Sequence, residues 1–515
     1  MALATAVRVN GEELTLADVW AVAVGRERAE LSDEGRSKLQ AARDLVEQVA
    51  SESSGEHTYG INTGFGRFVE RSIPFSLSEE LQLRLLRSHA CGVGEPYPDE
   101  VVRAAMLLRA NALAKGYSGA RVETVELLLA CLNEDVIPIV PSRGSVGASG
   151  DLAPLAHLAL PLVGEGWARV DGETLPGGAA LARAGLAPVR LQAKEGLSLV
   201  NGTQFMAAVG ALALVRVRRL AKAADIACAL SVEALQGSRV SFRPEIHALR
   251  PLKGQRESAA NVLRLLEGSA VIEAHRWCDK VQDAYSLRCA PQVHGASRDL
   301  VEYAERTIAI ELNAATDNPL VLVEEGELVS NGNFHGQPLA FALDALAIAV
   351  AELASISERR LERLVNPSLS DGLPAFLTRD GGLNSGFMIP QYVAASLVSE
   401  NKALSHPASV DSIPTSAGQE DHVSMGNAAA LKCWQVLANA ECAVAIELLA
   451  AAQGVEFLAP LEPGAGGRAA HDFVRTLSPP VLDDRALAPD IEGVADAVRS
   501  GALVEAVERE VGALA

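Results

Sequence analysis

No two cysteines in this chain stand in a Cys-x-x-Cys pair. The seven, at positions 91, 131, 228, 278, 289, 433 and 442, are odd in number and scattered, so neither a zinc site nor a redox motif has support. They are expected to be mostly buried thiols in a reducing cytoplasm. Cations are also short: 45 Lys and Arg stand against 65 Asp and Glu, a formal net charge of −20. An acidic field repels phosphate backbones and anionic bilayers, which argues against nucleic-acid and membrane partners. Long uninterrupted apolar runs are missing as well. The stretches 339–356 and 435–452 are broken by Asp344, Glu352, Glu441 and Glu447, so no segment is expected to supply the roughly 20 apolar residues of a spanning helix. Residues Met1 to Arg8 have neither a basic head nor a long apolar run, and no signal peptide is expected. Hydrophobic residues are plentiful, 49% of 515 with a mean hydropathy of +0.16, enough for a large buried core.

Val7 to Leu14 reads as a small hairpin turning on Asn10-Gly11, and Thr15 with Asp18 as a capping box opening a helix. A second helix is expected from a Ser32 cap to about Gly55, with Leu39, Ala42, Val46 and Val49 on one face. The glycine-dense run from Tyr59 to Gly66 cannot be regular helix and reads as a loop. Another hairpin is expected at Val170-Asp171-Gly172-Glu173, followed by a flexible Pro176-Gly177-Gly178. Past residue 200 the pattern becomes long helices. The clearest runs from Pro338 to Val365, with Leu339, Leu346 and Leu353 seven apart and Leu343, Val350 and Leu364 on the adjoining seam. Asn366-Pro367 stops it. Similar stretches occupy about 203–236, 296–316, 388–405, 422–453 and 485–511. The fold class expected is mainly α, a long antiparallel helix bundle with a smaller mixed N-terminal part. The division expected is a mixed α/β part over 1–110, containing the Tyr59 loop, and an elongated helical body over 111–515.

The run Gly144-Ser145-Val146-Gly147-Ala148-Ser149-Gly150-Asp151-Leu152 carries the most chemistry. If the Gly150 nitrogen attacks the Ala148 carbonyl and two waters leave, the chain closes into a methylidene-imidazolone ring, with Ser149 converted to a dehydroalanine-type methylene. Glycine suits the attacking position because it has no Cβ to block close backbone approach. Taken alone, an Ala-Ser-Gly tripeptide is most often an ordinary turn. The hydrolase nucleophile elbow, Gly-x-Ser-x-Gly, fails here because Asp151 stands where the second glycine should be.

In its wider context, Gly144 to Leu155 closely resembles the signature of the aromatic amino acid ammonia-lyases, and within them the histidine ammonia-lyases (histidases). The resemblance runs from about Tyr59 to about Leu458 and includes Ser88-His89-Ala90-Cys91-Gly92-Val93-Gly94, Leu199-Val200-Asn201-Gly202-Thr203-Gln204 and Val281 to Cys289. It continues through Gly332-Asn333-Phe334-His335-Gly336 and Gln419-Glu420-Asp421-His422-Val423-Ser424-Met425. It implies the fumarase/aspartase-like helical fold. It also implies non-oxidative deamination of L-histidine to trans-urocanate and ammonia, the first step of histidine degradation, in a cytoplasmic homotetramer whose active sites combine loops of neighbouring subunits. The electrophile implied is the protein-derived group from Ala148, Ser149 and Gly150, with no external cofactor and no metal. Position by position, Tyr59 and Tyr285 match active-site phenols, either of which could be the base for the β-proton. Arg288 matches a carboxylate grip, Asn201 and Gln282 match orienting amides, and Phe334 packs beside the electrophile. Asn331 and Gly418 depart from the commonest family pattern and touch loop geometry only.

Phenylalanine and tyrosine lyases share the Ala-Ser-Gly core, so the amino acid is chosen elsewhere. His89-Ala90 and the carboxylate of Glu420 resemble the histidine-specific pattern. An imidazole losing water needs hydrogen-bond partners, and a His with a carboxylate could supply an acceptor and a donor. A benzyl ring would leave that carboxylate desolvated and unpaired. Three rivals stay open: an aminomutase that returns ammonia to the β-carbon, a non-catalytic scaffold with an uncyclised loop, and a fumarase-like lyase, whose Ser-rich loop signature is not found.

Overall fold

The computed structural model describes residues 6–52, 61, 63–64, 66–277 and 280–515. Tyr59 and Cys278 lie outside the described residues. Two compact units make up the chain. The first comprises Met1–Leu212, Glu305–Asp344 and Pro407–Leu431, and the second Ala213–Ala304, Ala345–His406 and Lys432–Ala515. Residue 110, where a boundary was expected, falls inside the helix Asp99–Ala114.

The architecture is mainly α. Long helices occupy Gln204–Ala234, Ala290–Glu311, Gln337–Val365 and Gly426–Glu456, and a fifth covers Met388–Leu404. The seam read at seven-residue spacing is core: Leu339, Leu343, Leu346, Val350, Leu353 and Leu364 are all fully buried. Ala290–Glu311 runs against Gln204–Ala234. In the first unit Ile308 faces Gly210, and in the second His294 meets Asp225.

The first unit also carries short strands. Val7–Val9 pairs with Ala29–Leu31 in parallel, which corrects the hairpin expected at Asn10-Gly11. The Asn10 side chain instead caps the turn by accepting from Glu12 and Glu13, while Gly11 donates to Asn111 at 2.9 Å and lies against Lys115. The Thr15–Asp18 capping box forms. Ser32 caps the helix Asp33–Glu52 through Gly35. Ala42 and Val46 from that helix join Ile61, Ala193 and Val321 in a local core. The hairpin Trp167–Val170/Glu173–Pro176 forms in the expected register. The segment after it is not flexible: Gly177 donates to Gly166 and opens the helix Gly177–Arg183. The stretch 485–511 is two helices, Ala488–Ser500 and Ala502–Val511, separated at Gly501, whose φ of +90° no α-helix accommodates.

Two helices, Gln337–Val365 and Gly426–Glu456, are long and apolar enough by composition to cross a bilayer, contrary to the expectation from their interrupting acids. Here 67% and 83% of those apolar windows are buried inside the protein. Three of the four acids, Asp344, Glu441 and Glu447, are accommodated by pairing. Asp344 accepts the Ser409 N–H at 2.8 Å, Arg216 grips Glu441 with two bonds of 2.9 and 2.7 Å, and Arg360 with Ser231 and Ser357 surrounds Glu447. Of the six described cysteines, 131, 228 and 433 are buried, 289 and 442 half-buried, and Cys91 exposed.

The second unit is centred on a buried carboxylate. Asp225 accepts from Ser258 at 2.6 Å, Asn261 at 2.9 Å, His294 Nδ1 at 2.7 Å and Arg298 at 2.7 Å. Burial alone would raise its pKa, but Arg298 and His294 outweigh that and hold it well below the usual carboxylate range. A carboxylate depressed on folding contributes stability above its unfolded pKa of about 4, and that stability is lost as pH falls. Asp225→Asn is therefore expected to lower stability by about 3–5 kcal/mol at neutral pH, because the buried His294 and the half-buried Arg298 lose the charged acceptor they share. Urea denaturation at pH 7 and pH 3.5 checks this: the gap between wild type and variant should narrow at the acid end.

Candidate active site

The Ala148-Ser149-Gly150 loop lies between a strand, Pro141–Arg143, and the helix Leu152–Ala159, and it is fastened at both ends. On the leading side, the Val146 carbonyl accepts from Met425 at 2.9 Å. The Gly147 carbonyl accepts from Gly336 N–H at 3.1 Å and Ser424 Oγ at 2.9 Å. On the trailing side, Ser145 Oγ reaches back to the Gly150 carbonyl at 3.2 Å and to Asp151 at 3.0 Å. Asp151 N–H donates to the Gly202 carbonyl at 2.6 Å. Between these fastenings Ala148 is buried and Ser149 Oγ makes a long 3.4 Å hydrogen bond to Glu420. No group among the described residues accepts from the Gly150 N–H.

Gly150 has φ +74°, and a Cβ there would overlap the Gly202 carbonyl. The position is therefore closed to every other residue, and its N–H sits in a tight turn with no acceptor among the described residues. The residues an internally formed electrophile would require, Ala148, Ser149 and Gly150, thus stand together in a loop whose third position admits only glycine.

Asp151 is fully buried at the start of the helix Gln204–Ala234, where it accepts the N–H groups of Phe205 at 2.9 Å and Met206 at 3.0 Å. Burial nevertheless pushes its carboxyl up to about 7, against the lowering by those bonds. A raised carboxyl contributes stability in its neutral form, fully present below its unfolded pKa of about 4 and lost as pH rises through about 7. Asp151→Asn should remove that slope. Denaturation at pH 5 and pH 8 is the check: wild type should lose more stability between the two than the variant, whose remaining slope comes from other raised carboxyls such as Glu233.

His89 ends the helix Ser78–His89. Its Nδ1 faces the Leu85 carbonyl at 2.9 Å and must carry the proton there, which leaves Nε2 as an acceptor in the neutral ring. Burial lowers the His89 pKa, opposed by the Leu85 carbonyl and the Glu420 charge. Glu420 is held by Thr415 Oγ1 at 2.6 Å and reached by Ser416 Oγ at 3.4 Å. The turn supporting it is strained: Ser416 and Ala417, neither a glycine, have φ of +51° and +54°. The Thr415–Glu420 backbone pair keeps it closed. Asn201 is buried, and its Oδ1 has no partner. Phe334 is half-buried in the turn preceding Gly336.

The first unit thus contains Ala148, Ser149, Gly150, His89, Asn201, Phe334 and Glu420, while Gln282, Tyr285 and Arg288 belong to the second. There, Gln282 and Tyr285 are exposed. The Arg288 guanidinium stacks 4.7 Å over the Tyr285 ring, and its Nε donates to the Asp283 carbonyl at 3.0 Å.

Profile comparison matches residues 14–476 to the family described as aromatic amino acid lyase. The chain belongs to the aromatic amino acid lyase family. It is an ammonia-lyase enzyme, and its relatives span nearly its whole length. A histidine ammonia-lyase of Gloeobacter violaceus is 58% identical, with 98% of each chain covered. The crystal structure of histidine ammonia-lyase from Trypanosoma cruzi superposes with a TM-score of 0.91 at 46% identity, covering 98% of this chain and 96% of that one. A tyrosine aminomutase from Streptomyces globisporus superposes with a TM-score of 0.94 at 39% identity, covering 99% and 100%. The family's fold is therefore shared by enzymes with different substrates and products, and side chains must make the choice. The motif reading passed over Arg109 and assigned no role to Ser145, Asp151 or Ser424. The last three lie inside quoted motifs, whereas Arg109 sits in an otherwise unremarked run, Met106-Leu107-Leu108-Arg109-Ala110.

Proposed function

We propose that this enzyme removes ammonia from L-histidine without oxidation, giving trans-urocanate, the first step of histidine degradation. Its electrophile is formed from Ala148, Ser149 and Gly150 by the chain itself. The observation that carries this reading is the pinned loop, in which the Gly150 N–H has no acceptor among the described residues and Ser149 lies beside Glu420. When formed, the methylidene-imidazolone group supplies an electron-poor methylene toward which the substrate amine is drawn.

The chain's own residues do the rest. Arg288, with Nε committed to Asp283, keeps its two terminal nitrogens for a two-pronged grip on the substrate carboxylate. Asn201 and Gln282 orient that carboxylate. Tyr59 or Tyr285 takes the β-proton. The neutral His89 ring offers Nε2 as acceptor to the imidazole N–H, and the Glu420 carboxyl is the second polar partner for the ring. Phe334 excludes water beside the loop. We place the enzyme in the cytoplasm as a homotetramer, its sites completed by a neighbouring subunit through the segment 282–288, where Gln282 and Tyr285 are exposed. Nucleic acid and membrane are not among its partners.

Incubating the purified chain with L-histidine, L-phenylalanine and L-tyrosine while following a conjugated product tests the substrate. Histidine should be the fastest by roughly 100-fold or more, as a site built for polar ring atoms rejects an apolar ring. Faster turnover of phenylalanine or tyrosine contradicts the assignment. The likeness to an aminomutase makes β-histidine the other product to assay, and urocanate alone is expected.

A further inference from the structure

A buried guanidinium beside the reacting loop is used by none of the chemistry above. Arg109, on the helix Asp99–Ala114, is fully buried. Its Nη1 donates to the Asn201 carbonyl at 2.7 Å and to Gln204 Oε1 at 2.8 Å, and Gln204 Nε2 is tied in turn to Thr316 Oγ1 at 3.0 Å. These bonds fix the short turn between the helices Glu195–Val200 and Gln204–Ala234. Gly202, at the centre of that turn, lies against Gly150 and accepts the Asp151 N–H.

The tie is expensive for its size. Nε and Nη2 of Arg109 are buried with no partner. The acid that acts on it, Asp317, is already paired with the buried Lys194 at 2.7 Å. Two buried cations thus share one carboxylate, and burial lowers the Arg109 pKa to about 10. A neutral amide could make two such bonds at less desolvation cost. A charged fork makes them shorter and more rigid. Rigidity matters here because the carbonyl that Arg109 immobilises through Asn201 adjoins the one pressed on Gly150.

We propose that Arg109 is a positioning residue for ring closure at Ala148-Ser149-Gly150, holding Gly202 against Gly150 so that the Gly150 nitrogen stays within reach of the Ala148 carbonyl carbon. This rests on the cyclisation reading above. In that closure the Gly150 nitrogen bonds to the Ala148 carbonyl carbon. The carbonyl oxygen leaves as water with the hydrogens of the Gly150 and Ser149 nitrogens. A second water takes the Ser149 hydroxyl and its Cα hydrogen. No oxidant or reductant enters.

The test follows intact mass against time in full-length chains after cell-free synthesis, for wild type, Arg109→Lys, Arg109→Gln and Thr316→Val. Wild type should lose the mass of two waters. Arg109→Gln should do so slower by roughly 10- to 100-fold, Arg109→Lys by an intermediate factor, and Thr316→Val by roughly threefold. Turnover per cyclised subunit should stay at the wild-type value in all three, a separation that a merely destabilised fold would not produce. Folded Arg109→Gln maturing at the wild-type rate overturns the proposal. If that variant does not fold, wild-type rates in both Arg109→Lys and Thr316→Val overturn it equally. A wild type that never loses mass overturns the cyclisation reading and this inference together, whereas a maturing wild type with unaffected variants overturns this inference alone.

Discussion

Ser149→Ala is expected to fold, to keep the full encoded mass, and to lose at least about 10³-fold in turnover of L-histidine, as loss of a reacting group does elsewhere. Ser149 Oγ makes one long contact, 3.4 Å to Glu420, so its removal leaves the supporting bonds to Gly147, Gly150 and Asp151 in place. The stability change should therefore stay small, within about 0.5 kcal/mol, as for substitutions away from buried networks. Thermal unfolding beside the assay separates the two effects. A Ser149→Ala chain with wild-type turnover would remove the electrophile from the account.

Gly150→Ala should also abolish activity, for a different reason and with a different signature. The added Cβ meets the Gly202 carbonyl, and φ of +74° is unfavourable for alanine. Strain of this kind costs about 1–3 kcal/mol, and the overlap forces the 148–151 turn away from residue 202. The expected result is a full encoded mass together with a lowered Tm, where Ser149→Ala shows the first without the second. Mass loss in Gly150→Ala would mean that the Gly202 contact does not set the geometry of closure.

Local patterns carried much of the fold into the sequence. The Thr15–Asp18 box, the Ser32 cap, the Val170–Glu173 turn and the leucine spacing of 339–364 are all decided by residues within a few positions of each other. Two of the misreadings have non-local causes. Val7–Val9 turns out to pair with a strand beyond the intervening helix, and nothing in Asn10-Gly11 announces that partner. Pro176-Gly177-Gly178 has the composition of a flexible link, yet the contact with Gly166 starts a helix there. One glycine, Gly501, divides what hydrophobic spacing reads as a single helix.

The site was legible as motifs and opaque as mechanics. Ala148, Ser149, Gly150, His89 and Glu420 were visible as residue types. Ser145 closes the loop locally, but the opposed fastening by Gly202, Gly336 and Ser424 needs three distant segments brought to it. Arg109 offered no sign beyond being one of two arginines in an apolar helix, because its meaning lies in the Asn201 carbonyl it holds.

The most direct measurement is the intact mass of freshly prepared, full-length wild-type protein. The account predicts a chain lighter than its encoded composition by two water molecules, with the deficit confined to the peptide spanning residues 148–150. A chain at its full encoded mass that still deaminates histidine would contradict it.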